Sequence, residues 1–427
     1  MVKSFYLLGF IILFTFCSCN RSERSLFRIM EDGLYGFVDS TGSVVITPQY
    51  KYVSRFNQYG YAAVITDYSL RIEKGKFGLA DTLLHIKYGF IDKQNNVVVD
   101  TVHTIDLSLT QMLELGIPKN YVVYANKYSQ GELGFNDFID AGFIQLRAGQ
   151  YVVQNPKTKL MGFMNIKGDT TITAKYYVCN PFYGGIASVS LVRSPTLEYF
   201  VEDLNYTILI DSVGNNLTNE RYFRIPSFSG INSSWACRLI TDKSNNPQFI
   251  WLLLDKKGKV CSDTLTCTYV YNSRSNLYVW QQKIFDTPFY SFVNNKGTIM
   301  TDFDHDGTIT VFEETYTDVT SFSDTIAGVK VKYGEEPCWT FINNKFEFIS
   351  QPFDSVGIFN EGVVAVKEFS KNKANNKWGF VNKQFKEIIP HKYDEVGMFV
   401  DGLAYFKIKN IEGYINKRGE VVWSRMK

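Results

Sequence analysis

The feature that most constrains this chain is a short motif that recurs nine times: an aromatic, a small residue, two apolar residues, Asp or Asn, two polar residues and a glycine. Full copies are Tyr35-Gly36-Phe37-Val38-Asp39 with Gly42, Tyr88-Gly89-Phe90-Ile91-Asp92 with Asn95 in the glycine place, and Met161-Gly162-Phe163-Met164-Asn165 with Gly168. Reduced copies follow at Asp211 with Gly214, Asp255 with Gly258, Asn294 with Gly297, and Asn343 with Phe346. The series ends on Trp378-Gly379-Phe380-Val381-Asn382 with Phe385 and Gly413-Tyr414-Ile415-Asn416 with Gly419. An Asp or Asn that accepts a bond from the backbone two residues on opens a type I turn, and the third residue after it takes the left-handed conformation of a bulged β-hairpin. Glycine adopts that conformation most easily and Asn next, so Phe346 and Phe385 are expected to use a different turn.

A second block completes each repeat with a Phe and a short apolar strand, as in Phe56 with Ala62-Ala63-Val64, Phe359 with Val363 to Val366, and Phe399 with Leu403-Ala404. Each repeat therefore supplies three to four short strands, and 16% aromatic content, with 27 Tyr and 34 Phe, favours strands throughout. Units this small bury a face only by stacking, so the expected fold is all-β, an array of about eight to nine stacked hairpin repeats over residues 20–427. A closed propeller is preferred over an open β-solenoid. The final copy ends after its hairpin at Trp423, and Ser25 to Ile29 align with the closing strand it lacks, as though the N-terminus completed the last unit.

The motif resembles the WG-repeat family of bacterial proteins. Lys377-Trp378-Gly379-Phe380-Val381-Asn382, Ile389-Pro390, Tyr393, Phe399 and Gly402-Leu403-Ala404 follow its unit almost position by position, and residues 34 to 64 are nearly as close. Trp-Gly itself occurs only once, Trp339 is followed by Thr340, and residues 100 to 160 and 195 to 290 depart widely. The resemblance implies a β-repeat fold and an interaction scaffold, and it brings no catalytic motif.

Residues 1–19 read as a signal peptide: Lys3, an apolar stretch from Phe5 to Phe16, then Cys17-Ser18-Cys19. The apolar stretch is shorter than the roughly 20 residues of a spanning helix. Small Ser18 before Cys19 resembles the lipobox of bacterial lipoproteins, in which the cysteine is acylated, so Cys19 is the expected lipidation site and the cell envelope the expected location. The membrane would then be met by the N-terminal lipid anchor alone. A formal charge of +2, with no basic stripe, argues against nucleic-acid partners. The five remaining cysteines lack metal-ligand spacing, and Cys261 and Cys267 could close a small loop, although buried free thiols fit a β core better.

One local motif is specific. Asp302, Asp304, Asp306, Thr308, Thr310 and Glu313, with Gly307 at the sixth place, reproduce the ligand spacing of a twelve-residue calcium loop. Ca²⁺ is the expected cofactor, in a structural role, and the alternative is a solvated acidic loop. The segment 302–313 reads as an insertion between Ile299 and Tyr316, which are four positions apart in other repeats. No elbow serine, phosphate loop or zinc-protease pattern is present. The four His are expected among polar neighbours, three of them in loops or at the surface.

The expected function is thus an envelope-anchored binding or scaffolding protein, not an enzyme, whose partner is another protein or a glycan. The alternative is an envelope glycan hydrolase assembled from distant carboxylates on a propeller frame. Calcium added to the chain lacking residues 1–19 should give heat in calorimetry and raise the melting temperature relative to chelator; neither effect would appear if the motif is only an acidic loop.

Overall fold

The computed structural model describes residues 25–74, 80–108, 111, 144–191, 206–225, 233–243, 246–267, 269–271, 277–284, 287–300, 316, 318–333, 336–369 and 376–426. The signal segment, Cys19 and all six calcium-loop residues lie outside them. The described chain is all-β, thirty strands in antiparallel ladders. They form eight hydrogen-bonded sheets, one of which has seven strands and holds two units, because Phe353–Val356 pairs with a strand on either side.

The nine units share one plan. In the second, Tyr52–Val53 pairs with Tyr61–Lys74, that strand with Ala80–Asp92, and Ala80–Asp92 with Val97–Ser108. The last unit repeats the order with Glu395–Val396, Leu403–Ile408, Ile411–Asn416 and Val421–Met426. The Phe and Ala-Val block that closes each repeat in sequence therefore opens the next sheet in space. This corrects the expected role of the N-terminal strand. Leu26–Glu31 pairs along its whole length with Leu34–Asp39 of its own sheet, and no strand ladder joins the first sheet to the last.

The hairpin turns form as expected. At the first, Gly42 N donates to Asp39 O at 3.0 Å, and one Asp39 carboxylate oxygen accepts from Thr41 N and Ser43 N at 2.9 and 3.1 Å. The pattern recurs at Asp255 to Gly258 and Asn416 to Gly419. Phe346 and Phe385 do not use a different turn: both take the left-handed conformation, with φ of 66° and 57°. An ordinary residue is destabilised there by about 1–2 kcal/mol. Aromatic packing offsets that cost, for Phe385 stacks on Phe341 at 5.3 Å and meets Phe353 and Phe359, while Phe346 meets Phe292 and Phe322. These partners show that turn tips lean on the preceding unit. Where the tip is Gly42, its neighbour is backbone: a Cβ would stand 2.2 Å from the carbonyl oxygen of Val422 in the last sheet.

The other motif glycine serves close approach, not backbone conformation. A Cβ on Gly36 would lie 2.3 Å from Ile46 O, and one on Gly379 2.8 Å from Ile389 O, because the following strand arches over the glycine. Its register shifts there: Tyr35 opposes Tyr50 while Phe37 opposes Ile46. The four units with Ile208, Leu252, Ser291 or Thr340 in this place have no long fourth strand among the described residues. They show isolated bridges or the short strands Leu265–Thr266 and Phe353–Val356. A side chain at that position props the neighbouring strand away.

Apolar faces pack unit against unit. Phe37 and Ile46 of the first meet Val64 and Ile91 of the second, and Phe380 and Ile389 meet Phe406 and Ile415 at the other end. Phe27, Ile29 and Val38 of the first sheet likewise pack with Leu403, Val422 and Trp423 of the last. The described cysteines are free and all but Cys261 are buried; burial pushes the Cys179 thiol up, and the Cys237 thiol to about 12, so neither is a ready nucleophile. Gly42→Val should cost more than about 1 kcal/mol from strain at positive φ alone, and Phe385→Gly should also destabilise, by about 1–3 kcal/mol, because lost packing outweighs relieved strain. Both are read as shifts of the urea midpoint, and a stabilised Phe385→Gly would show that the aromatic is not what holds that turn.

Candidate functional site at the meeting of the first and last sheets

The first and last sheets meet through side chains, and a cavity of about 410 Å³ opens beside that contact. Its walls come from Ser25 to Arg28 of the first sheet, Arg55 to Gln58 and Lys93 of the second, and residues between Gly397 and Tyr414 of the last. Three cationic residues, Arg28, Arg55 and Lys93, and one acidic residue, Asp401, line it together with Phe56, Met398 and Tyr405.

The contact itself is a network. Leu26–Glu31 has an outer edge, and two of its carbonyls accept bonds from the last sheet: Arg28 O from Tyr414 Oη at 2.8 Å, and Met30 O from Arg425 Nη1. The Glu412 carboxylate fixes Arg425, accepting from Nε at 2.7 Å and also from Nη2, and accepts Tyr405 Oη at 3.0 Å. The Arg425 and Glu412 side chains are only 17% and 12% exposed, so the pair is largely desolvated. Burial, then the Glu412 charge, pushes the Tyr405 phenol up, which keeps its proton in the bond. Asn57 adds a lateral tie on the second unit, donating to Leu146 O at 2.7 Å as Asn360 does to Phe399 O.

Sequence reasoning missed this site. The available signal was Glu412, which stands where the other motifs carry Tyr35, Tyr88 or Trp378: a charge at a core position asks for a partner.

The expected sites fare as follows. Asp302, Asp304, Asp306, Thr308, Thr310, Glu313 and Cys19 lie outside the described residues, so the structure neither assembles nor separates them. Both flanks of the acidic segment anchor on Thr287–Asn294: Ile299 bridges Val293, and Tyr316 exchanges backbone bonds with Tyr290. Ile299 thereby matches Val44, which pairs with Val38, not Ile46, so the insertion is slightly shorter than the spacing from Ile299 suggests. The described histidines are not loop residues. His85 lies on a strand with Nδ1 2.5 Å from Asp106, His103 packs between Tyr88 and Tyr151, and His391 is 14% exposed. Burial raises the Asp106 carboxyl, but bonds from Lys159 and His85 outweigh it and hold the group below its usual range. No nucleophile joins that cluster among the described residues.

Residues 35–68, 161–191, 339–370 and 378–410 each match the WG containing repeat family. These four segments carry WG repeats. Three of the four matched segments begin on units with the motif glycine, and the matched WG repeats bracket the eroded middle of the chain. No curated protein matches the chain. Similar solved structures include apo AztD from Citrobacter koseri, at 10% identity over 94% of each chain with a TM-score of 0.37. The β-propeller domain of the Trilobed protease from Pyrococcus furiosus is 8% identical over 88% of this chain and 97% of that one, with a TM-score of 0.34. Polysaccharide lyase Uly1 is 10% identical over 90% of each, with a TM-score of 0.27. Likenesses this loose carry no argument about activity.

Because Glu412 is largely buried, Glu412→Ala would leave the Arg425 charge unpaired and should destabilise the protein by about 2–4 kcal/mol. Hydrogen exchange at residues 26–31 should quicken more than exchange in the strands Trp378–Asn382 and Glu387–Tyr393 of the preceding unit. Equal quickening in both places would mean the network is not specific to this contact.

Proposed function

We propose that this WG-repeat protein is a non-catalytic binding or scaffolding protein of a bacterial cell envelope, exported by residues 1–19 and held there by an acyl chain on Cys19. The observation that carries the binding role is the cavity beside the first and last sheets. It is concave, lined by four charged and several apolar residues, and framed by three different units, two of which the Glu412–Arg425 network ties together. Repeat arrays present wide surfaces whose shape is fixed by neighbour contacts, which suits a protein or glycan partner. The acidic segment 302–313 fits a structural calcium loop in this setting, with Asp302, Asp304, Asp306, Thr308, Thr310 and Glu313 as its oxygen donors.

Met398, 48% exposed at the cavity rim, and Asp401 can be changed with little effect on the core. Photo-crosslinking in intact cells should trap one partner at these positions in the wild type. Met398→Glu with Asp401→Lys should lose that partner while the melting temperature stays put, and Cys19→Ala should release the protein from the membrane fraction. An unchanged crosslink in the double variant would remove the cavity from the binding surface, and retention of Cys19→Ala in the membrane would exclude the acyl anchor.

A further inference from the structure

Where the WG repeats at 339–370 and 378–410 meet in one sheet, a side-chain cluster lies that neither the repeat motif nor the cavity accounts for. Glu368 ends the strand Val363–Glu368, and Glu387 and His391 lie on Glu387–Tyr393, with Trp378–Asn382 between them. Gly379 allows the two outer strands to share one face, since a Cβ there would stand 2.8 Å from Cγ of the His391 ring. The ring lies across the cleared strand and aims Nδ1 at both carboxylates, 2.8 Å from Glu387 and 3.8 Å from Glu368. One donor atom from each residue lies within 4.8 Å of the other two.

Two like charges converge here without a lysine or arginine within ion-pair distance of either, among the described residues. The neighbouring cations are turned elsewhere: Lys367 sits over the Trp378 ring at 5.1 Å and Lys392 over the Tyr393 ring at 5.3 Å. His391 Nε2 is buried with no hydrogen-bond partner, and Nδ1 is the ring nitrogen that meets the two carboxylates.

We propose that Glu368, Glu387 and His391 bind a divalent transition-metal ion, with zinc the best match. Metal–donor bonds of about 2.0–2.2 Å place neighbouring donors roughly 3–3.5 Å apart, between the two distances to His391 Nδ1, so small side-chain shifts complete the set. Imidazole nitrogen with two carboxylates suits zinc and its first-row neighbours, whereas calcium takes six to eight oxygens. Glu368 and Glu387 are 70% and 49% exposed, which leaves the remaining coordination positions to water. The ion would tie the second strand of this unit to its arched fourth strand across the motif glycine.

Zinc, and separately cobalt, titrated into the full chain tests the site by calorimetry and by visible absorption. The wild type should bind one ion with an N/O-ligand cobalt spectrum. Glu368→Gln, Glu387→Gln and His391→Gln should each weaken binding by more than roughly tenfold, since even supporting residues around a metal contribute 10–100-fold. Glu368→Gln is the control for folding, because so exposed a residue should leave the melting temperature in chelator unchanged. No zinc heat in the wild type overturns the site. So does tight binding that survives both Glu368→Gln and His391→Gln, or zinc binding abolished by excess calcium, which would place the ion in the acidic segment at 302–313.

Discussion

The structure depends on how closely one strand can pass over another. Within a complete unit the fourth strand arches across the third at the motif glycine, with its carbonyl where a Cβ would otherwise stand. That arch brings Ile46, Ile389 and their equivalents down onto the same face as Phe37 and Phe380, and the next sheet packs on the result. Where the glycine is replaced, the arch is reduced to bridges and short strands, yet the unit keeps its second and third strands and its turn. Apolar burial between units therefore survives a loss that removes part of the backbone ladder.

Much of this was legible in the sequence, for reasons that can be named. Asp39 and Gly42 fix a turn by local chemistry alone, and the apolar runs beside such turns are buried at consecutive positions, as in Leu34–Asp39 and Ile186–Ser190. The Phe346 and Phe385 turns were not legible, because their left-handed conformation depends on aromatic partners from the preceding unit, far away in sequence. The position of the sheet boundaries was hidden too. A repeat can be read in any phase, and only the hydrogen-bonded ladders show that the Ala-Val strand begins a sheet.

The cavity and its network were hidden for a different reason. Glu412, Arg425 and Tyr405 are ordinary surface residue types, and their meaning depends on contact with a strand nearly four hundred positions earlier. Repeat reasoning looks for what units share, and this contact is what the last unit does that its fellows do not. The Glu368, Glu387 and His391 cluster lies within a single sheet, yet it draws on two sequence repeats and needs the bare face of Gly379.

The direction of the turn contacts has a consequence for how such a chain can evolve. Most described tips lean on the unit before them, as Gly258 does on Leu217 and Phe385 on Phe341, so interior units offer similar faces to their neighbours. Duplication or deletion of an interior unit would leave every remaining neighbour pair satisfied. The bonds of Arg425 to Met30 and Tyr414 to Arg28, the approach of Val422 to Gly42 and the packing of Phe27 and Val38 on Leu403 require that the last unit arrive at the first. That contact acts as the molecule's counter: it alone distinguishes nine units from eight or ten.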